Sequence, residues 1–175
     1  TEPGRWMVDS ENQRLYLWPR TDGEPAGILV PAVTELLRFE GDEDGRDWVR
    51  HIAVEHLEFA HADRFPWPSD RVAVQHDWEL YEGPTALIRL HGAEHIAIRD
   101  CRFVDSGGGG VRCERHAVDN TISHNAFANL GGSGVALVGH RPGRQDENHH
   151  NLIAGNVLSR IGRLLWHSSG ILLCQ

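Results

Sequence analysis

The segment Ile98-Arg99-Asp100-Cys101-Arg102-Phe103 decides the fold, because its spacing of inward residues recurs along the chain. The same spacing is found at Val54-x-x-Leu57-x-Phe59, Ile122-x-x-Asn125-x-Phe127 and Ile153-x-x-Asn156-x-Leu158. A second apolar pair lies between these segments, at Ile88/Leu90, Val111/Cys113, Val135/Leu137 and Ile171/Leu173. Short alternating segments that repeat with turn residues between them are typical of a stacked solenoid.

The repeat predicts an all-β fold whose parallel strands stack equivalent inward residues on one another. Two interior ladders are expected, Val54/Ile98/Ile122/Ile153 and Phe59/Phe103/Phe127/Leu158. Asn125 and Asn156 are expected at an inward corner, where an amide can satisfy the backbone of the neighbouring repeat. Gly110, Gly134 and Gly170 precede the second apolar pair, and we expect them to form sharp turns with positive φ.

The first 48 residues do not show the repeat and are predicted to form a separate segment packed beside the solenoid of residues 49–175. Aromatic and β-branched residues flank the polar stretch Ser10–Gln13, which predicts a β-hairpin. Residues 33–39 suit either a helical turn or a strand, and 40–45 are predicted to be a solvated acidic turn. The chain has no initiator Met and ends within a repeat strand, so a fragment of a longer protein is expected.

Composition excludes some classes of function. The formal net charge of -8 argues against a nucleic-acid surface, which needs clustered Lys and Arg. The sequence contains no uninterrupted apolar stretch of about 18 residues or more, the length that spans a bilayer, so no membrane segment is expected. The cysteines Cys101, Cys113 and Cys174 lack metal-type spacing. Cys101 and Cys113 are interpreted as small buried residues, although a bridge between them remains open.

Two regions resemble a known group of proteins. One is Pro3–Asp9 with Leu15–Pro19, and the other is Glu147–Ile153 with His167-Ser168-Ser169-Gly170-Ile171. Both are similar to segments of large bacterial right-handed parallel β-helix proteins. Their pattern resembles that of glycoside hydrolase family 141, which includes α-L-fucosidase and xylanase activities. The resemblance implies a single-stranded, pectate-lyase-like β-helix in a secreted or periplasmic enzyme that acts on oligo- or polysaccharide without a cofactor.

Glycoside hydrolysis usually needs two carboxyl groups that face one cleft. Asp105 and Glu114 are the predicted catalytic pair, because both are expected to face outward on or beside a strand, which positions them more rigidly than a loop. For each of them, a solvated surface position is the competing interpretation.

Insertions interrupt the repeat at 60–83, 140–150 and 162–169, and such insertions often form the functional face of a solenoid. His140 and His167 are predicted to hydrogen-bond sugar hydroxyls, and Trp67 and Trp166 to stack on sugar rings. Packing of these side chains against the solenoid is the alternative. Adjacent His149 and His150 rarely point the same way, so no metal site is predicted.

Two other functions remain open. A non-catalytic β-helix module for glycan binding or spacing needs no carboxylate pair. A polysaccharide lyase needs a basic residue, and since the chain contains no lysine, that residue would have to be an arginine such as Arg112. The oligomeric state is not predicted.

Overall fold

The computed structural model describes residues 2–21, 23, 25, 27–64, 86–139, 148–165 and 168–174. The regular secondary structure within these ranges consists of β-strands alone, which confirms the predicted all-β class. The chain divides into two compact units, Thr1–Val30 and Pro31–Gln175. Among the described residues, no helix has the length and hydropathy that a membrane span requires.

The first unit contains the predicted hairpin. Strands β1 (Trp6–Asp9) and β2 (Arg14–Leu17) pair antiparallel, with Trp6 opposite Leu17. The Asp9 carboxylate accepts hydrogen bonds from the Asn12 backbone N at 3.0 Å and from Asn12 Nδ2 at 2.9 Å, which closes the turn. Side chains with a short polar head stabilise such turns by bonding to nearby backbone.

The second unit consists of short strands that recur in sets of three. In chain order they are β3 (Leu37–Glu40), β4 (Val49–Arg50), β5 (Ala53–Glu55), β6 (Glu58–Ala60), β7 (Ala86–Glu94), β8 (Ala97–Arg99), β9 (Arg102–Ser106), β10 (Gly109–Val118), β11 (Thr121–Ser123), β12 (Ala126–Leu130), β13 (Val135–Val138), β14 (Leu152–Ala154), β15 (Val157–Ser159) and β16 (Ile171–Cys174). They form three sheets in which every pairing is parallel.

Each successive strand of a set belongs to a different sheet. Sheet I has the order β16-β13-β10-β7-β3, with β4 also paired to β7. Sheet II has the order β14-β11-β8-β5, and sheet III the order β15-β12-β9-β6. Sheet I therefore begins at Leu37, earlier than the expected start of the repeat at residue 49, and the ambiguous stretch 33–39 ends in a strand.

The predicted ladders are confirmed residue by residue. Ile122 pairs with both Ile98 and Ile153, and Phe103 pairs with Phe59 and Phe127. The ring of Phe103 stacks on those of Phe59 and Phe127 with centroids 5.2 and 4.6 Å apart. Burying each such ring stabilises the fold by roughly 1.5–3 kcal/mol, so these stacks are a main source of cohesion between repeats.

Asparagines form the predicted inward ladder at a corner between sheets II and III. Asn125 Oδ1 accepts a hydrogen bond from Cys101 N at 2.9 Å, and its Nδ2 donates to Ile98 O at 3.0 Å. Asn156 makes the same contacts one repeat further on, with Asn125 N and Ile122 O. Each side-chain amide thus provides a hydrogen-bond partner for backbone groups that have none in the neighbouring strands.

Replacing Asn125 with Leu, the residue found at the equivalent position 57, is expected to lower the free energy of unfolding by roughly 2–6 kcal/mol. The reason is that the Cys101 N–H and the Ile98 carbonyl would be buried without partners, at about 1–3 kcal/mol each. Urea denaturation followed by circular dichroism measures the change. Asn129→Gly, which removes an amide at an outer corner with φ +58, is the control and should cost under about 1 kcal/mol. Equal losses in both variants would contradict the role of the ladder.

Outer corners adopt the left-handed backbone conformation, and mostly without glycine. By register they form three columns, His51/His95/Asp119/His150, His56/Asp100/His124/Gly155 and His61/Asp105/Asn129/Arg160. Every residue in them has φ between +49 and +65. Asn, Asp and His tolerate this conformation better than other residues with a side chain. The first two histidines stack with ring centroids 4.9 Å apart.

The expectation of positive φ at Gly110, Gly134 and Gly170 is wrong, since none of the three has it. Gly110 and Gly134 are needed for space. A Cβ at Gly110 would lie 2.5 Å from the carbonyl oxygen of Gly134 and 2.5 Å from the ring of Phe127. A Cβ at Gly134 would overlap Leu158. The backbone therefore passes directly over the core side chains of sheet III at this point.

Cys101 and Cys113 are both free thiols and fully buried in the core, which confirms their interpretation as small buried residues. Burial raises the pKa of the Cys113 thiol to about 12. At the other extreme, apolar side chains of the last strands are open to solvent. Leu152, Val157 and Leu173 are 55, 67 and 65 % exposed, whereas ladder residues of β7 to β12 are almost completely buried.

Candidate functional site

Two columns of polar residues lie on the face of sheet I that points away from the core. Successive side chains of a strand point to opposite faces of the sheet. In β7 and β10, Leu90 and Cys113 point into the core, and the residues adjacent to them in sequence therefore point to the other face, as do their paired residues in β3. The pairing register places equivalent residues of β3, β7 and β10 side by side, which creates the two columns. The columns are Arg38/Arg89/Arg112 and Glu40/His91/Glu114.

Glu114 faces outward as predicted, yet it is only 2 % exposed. Its Oε1 accepts a short hydrogen bond from Arg89 Nε, and its Oε2 accepts one from Arg112 Nε at 2.6 Å. His91 Nδ1 lies 3.4 Å from Oε1. Arg89, His91 and Arg112 are buried as well, at 7, 8 and 1 % exposure. Burial of so many ionisable groups is costly unless they are paired, so this cluster is not an ordinary surface.

The surroundings of Glu114 hold it in the charged form. Burial is the largest influence and favours the neutral acid, but the hydrogen bond from His91 and the charges of Arg112 and Arg89 outweigh it. Together they lower the pKa of Glu114 to about 2. A general acid must carry a proton at working pH, so Glu114 is suited to the role of the ionised carboxylate.

His91 connects the sheet to the turn that follows β3. Its Nε2 lies 3.0 Å from Glu43 Oε1, on the opposite side of the ring from Glu114. The hydrogen bond to Glu114 raises the pKa of His91 despite burial, and the charges of Glu114 and Glu43 act in the same direction. Arg115 Nη1 lies 3.6 Å from Glu43 Oε2. The prediction that residues 40–45 form a merely solvated turn is therefore wrong for Glu43.

A β-bulge immediately follows Glu114. Glu114 pairs with His91 and Ala117 pairs with Ala93, so β10 has one residue more than β7 in this interval. The two residues of the bulge, Arg115 and His116, have φ of +43 and +60. Positive φ at two consecutive residues with side chains is strained, and bulges that re-aim side chains are common beside active sites.

The bulge presents the imidazole of His116 in a fixed orientation. Its ring stacks on Trp48 with centroids 4.0 Å apart and planes 18° apart. His116 Nε2 lies 2.6 Å from Glu94 Oε1, and Arg50 Nε donates to Glu94 Oε2 at 2.5 Å. The hydrogen bonds from Arg50 and His116 lower the pKa of Glu94. A carboxylate that fixes one ring nitrogen of a histidine is an arrangement suited to proton transfer at the other.

Asp105 lies elsewhere, at an exposed corner of sheet III with φ +50. It accepts a short hydrogen bond from Asn129 Nδ2, and Asn129 in turn accepts one from Arg163. In the described part of the chain, Asp105 shares no hydrogen-bonding partner with Glu114, which belongs to a different sheet. The structure thus places the two predicted catalytic residues in separate surroundings.

The other predicted site residues, Trp67, His140, Trp166 and His167, lie outside the described residues. Arg112, considered as the base of a lyase, is a donor to Glu114 and is 1 % exposed. Within the ranges that the structure describes, no three His, Cys, Asp or Glu side chains are grouped to hold a metal ion.

Sequence reasoning missed Glu43, Arg89, His91, Trp48 and His116 as site residues. A signal for part of the set was present, because three of the apolar pairs in sheet I enclose an arginine and precede an acid or histidine, unlike Val135/Leu137 and Ile171/Leu173. The three segments are Leu37-Arg38-Phe39-Glu40, Ile88-Arg89-Leu90-His91 and Val111-Arg112-Cys113-Glu114. Aligning the outward residues as well as the inward ones would have found the columns.

Comparison of the chain with protein-family models finds no match, and searches of curated proteins and of solved structures find none either. Function is therefore inferred from the residues and contacts described above.

Proposed function

We propose that this chain is a section of a right-handed parallel β-helix, pectate-lyase-like in architecture, from a secreted glycoside hydrolase that acts on a complex polysaccharide. The sequence resemblance to glycoside hydrolase family 141 supports the proposal, as do three parallel sheets that receive successive strands in turn. The outer face of sheet I is the proposed substrate face.

The buried cluster around Glu114 is the observation that carries the proposal. Its side chains lie on the face opposite the core, so the apolar ladders do not need them. Buried, strongly interacting ionisable groups are common at catalytic sites. The ladders already provide the packing, so we assign this cluster to function.

Glu114 is the proposed ionised carboxylate, which either attacks the anomeric carbon as the glycosidic bond breaks or stabilises the positive charge that the cleavage leaves on the sugar ring, while the second carboxyl group gives its proton to the leaving oxygen. Glu43 is its proposed partner in place of Asp105, because Glu43 and Glu114 lie on opposite sides of the His91 ring. His91 contacts both carboxylates and so links them.

Release of reducing ends from a panel of plant and bacterial polysaccharides tests the proposal. Glu114→Gln and Glu43→Gln are expected to lower kcat/KM by about 100-fold or more, the usual contribution of an acid–base group. Glu43 is partly exposed, so its variant separates loss of chemistry from loss of folding. Asp105→Asn and Glu55→Gln are controls, the latter an exposed glutamate paired with Arg99, and each should stay within about 2-fold of the unmodified chain.

Full activity of both Glu114→Gln and Glu43→Gln would contradict the assigned residues. Absence of turnover on every polysaccharide would favour the second candidate, a glycan-binding module without catalysis. One observation supports that candidate: two arginines already neutralise Glu114, which lowers its basicity.

A further inference from the structure

Residues 41–48 leave sheet I between β3 and β4, and both of these strands pair with β7. The pairing register leaves Gly92 of β7 opposite these eight residues. The bulge residues of β10, Arg115 and His116, also lie opposite Gly92. Residues 41–48, which we call the strap, therefore contact the bulge across β7.

The base of the strap is fixed by backbone hydrogen bonds. Asp42 N donates to Asp47 O at 2.8 Å, and Asp47 N donates to Asp42 O at 2.9 Å. Gly41 N donates to His91 O at 2.8 Å. All three bonds join backbone atoms, so they do not depend on the protonation of any side chain.

The tip of the strap, residues 43–46, is held against the sheet by charge. Glu43 Oε1 lies 3.0 Å from His91 Nε2, and Glu43 Oε2 lies 3.6 Å from Arg115 Nη1, the longer and weaker contact. Glu43 Oε1 is buried and makes no hydrogen bond within the described part of the chain. Burial of a carboxylate oxygen is costly unless a hydrogen bond or a positive charge compensates it. The closed position of the tip therefore depends on the positive charge of the imidazole.

The groups that face His91 favour its protonated form. A neutral imidazole has one N–H, whereas an imidazolium has two and can serve the carboxylates of Glu43 and Glu114 on both sides of the ring. The hydrogen bond to Glu114 raises the pKa of His91. Burial and the charge of Arg89 oppose this shift, and the charge of Glu43 supports it. Glu40, at the paired position of β3, forms its own ion pair with an arginine of that strand.

We propose that the strap is a pH-sensitive device, whose tip lies against sheet I while His91 is protonated and is released when His91 loses its proton. Contact with Glu43 raises the pKa of His91 above its ordinary value of 6.5. The stabilisation of the closed strap is therefore complete below pH 6.5 and is lost as the pH rises through the raised pKa. The movement does not rest on the proposed function, but its consequence does: release removes Glu43 from the site, so turnover should fall at alkaline pH.

NMR relaxation of the Cα–H bonds in the full chain measures the motion of the strap, and these bonds do not exchange with solvent at high pH. For residues 43–46 we expect order parameters of about 0.85 at about pH 5.5, as in rigid backbone, and below about 0.6 at about pH 8.5. The midpoint of this change should coincide with the titration of the His91 ring and not with that of His116. Order parameters that stay high while His91 titrates would overturn the proposal.

Glu43→Gln removes the charge at the tip, so it should leave the tip mobile at both pH values and lower the midpoint of the His91 titration. Glu40→Gln is the matched control, because Glu40 lies on the neighbouring strand and pairs with Arg38, and it should keep the pH response. A response that persists in Glu43→Gln would assign the switch to another group and overturn the proposal. The measurement needs no substrate, so a pH-dependent strap in a chain without turnover on any polysaccharide would contradict the glycan function alone.

Discussion

Glu114→Gln is expected to lower the free energy of unfolding at pH 7 by about 3–5 kcal/mol, the cost of removing one partner from a buried ion pair. The substitution leaves Arg89 and Arg112 in a buried site without the carboxylate that accepts from both. The two guanidinium groups would then lack the carboxylate that neutralises both of them. Guanidinium chloride denaturation followed by tryptophan fluorescence measures the loss.

The loss in Glu114→Gln should depend on pH in a defined direction. The folded pKa of Glu114 is about 2 and its ordinary value is 4.5, so folding favours the ionised form. The stabilisation is complete above pH 4.5 and disappears as the pH falls towards 2. The gap between the unmodified chain and Glu114→Gln should therefore be large at pH 7 and shrink as the pH is lowered to 3 and below.

Glu55→Gln provides the comparison, because Glu55 also pairs with an arginine but is exposed to solvent. Such a surface pair contributes about 0–1 kcal/mol, so this variant should unfold almost like the unmodified chain at every pH. A loss below about 1 kcal/mol in Glu114→Gln, or a loss that is constant from pH 3 to pH 7, would show that the buried contacts are not formed as described.

Gly110→Ala is expected to cost about 3 kcal/mol, although it adds a single methyl group. The new Cβ meets the ring of Phe127 and the backbone carbonyl oxygen of Gly134, the residue that immediately precedes β13. Phe127 is 1 % exposed and stacks on Phe103, so its ring has little room to move. Thermal unfolding followed by circular dichroism should show a clear fall in Tm.

Gly170→Ala is a control from the same column of glycines. The nearest atom to its added Cβ is Leu158 Cδ2 at 3.7 Å, an ordinary contact, and Gly170 lacks positive φ. This variant should change stability by at most about 1 kcal/mol, and in the stabilising direction if the unfolded chain loses freedom. If Gly110→Ala and Gly170→Ala behave alike, close backbone approach is not what requires glycine in the column.

Much of the fold was predictable because a parallel ladder repeats one local rule. Once Phe59, Phe103 and Phe127 are aligned, alternation and spacing determine which neighbours pair, and the structure has that register. The corner conformations were not predictable in this way. Positive φ was expected at glycines, whereas residues such as His95 and Asp105 carry it. A backbone conformation that several residue types tolerate leaves only a weak trace in one sequence.

The candidate site was less predictable than the fold. Glu114 was recognised as an outward carboxylate from the alternation of β10, but its pKa depends on Arg89 and His91, which lie more than twenty residues earlier in the chain. His116, which stacks on Trp48, lies within the bulge after Glu114. A bulge is an exception to the period of two, so a pattern built on that period cannot indicate it.

The pairing of β7 and β10 on both sides has a consequence for how the charged cluster moves. In a stacked array each layer is stabilised by its immediate neighbours, so a strand that is paired on both sides opens less readily than one paired on a single side. β7 pairs with β3 and β10, and β10 pairs with β7 and β13. Amide hydrogens of these strands beside His91 and Glu114 should therefore exchange slowly with solvent. The charged cluster is thus held in slowly breathing layers of the molecule, where thermal motion leaves its geometry intact.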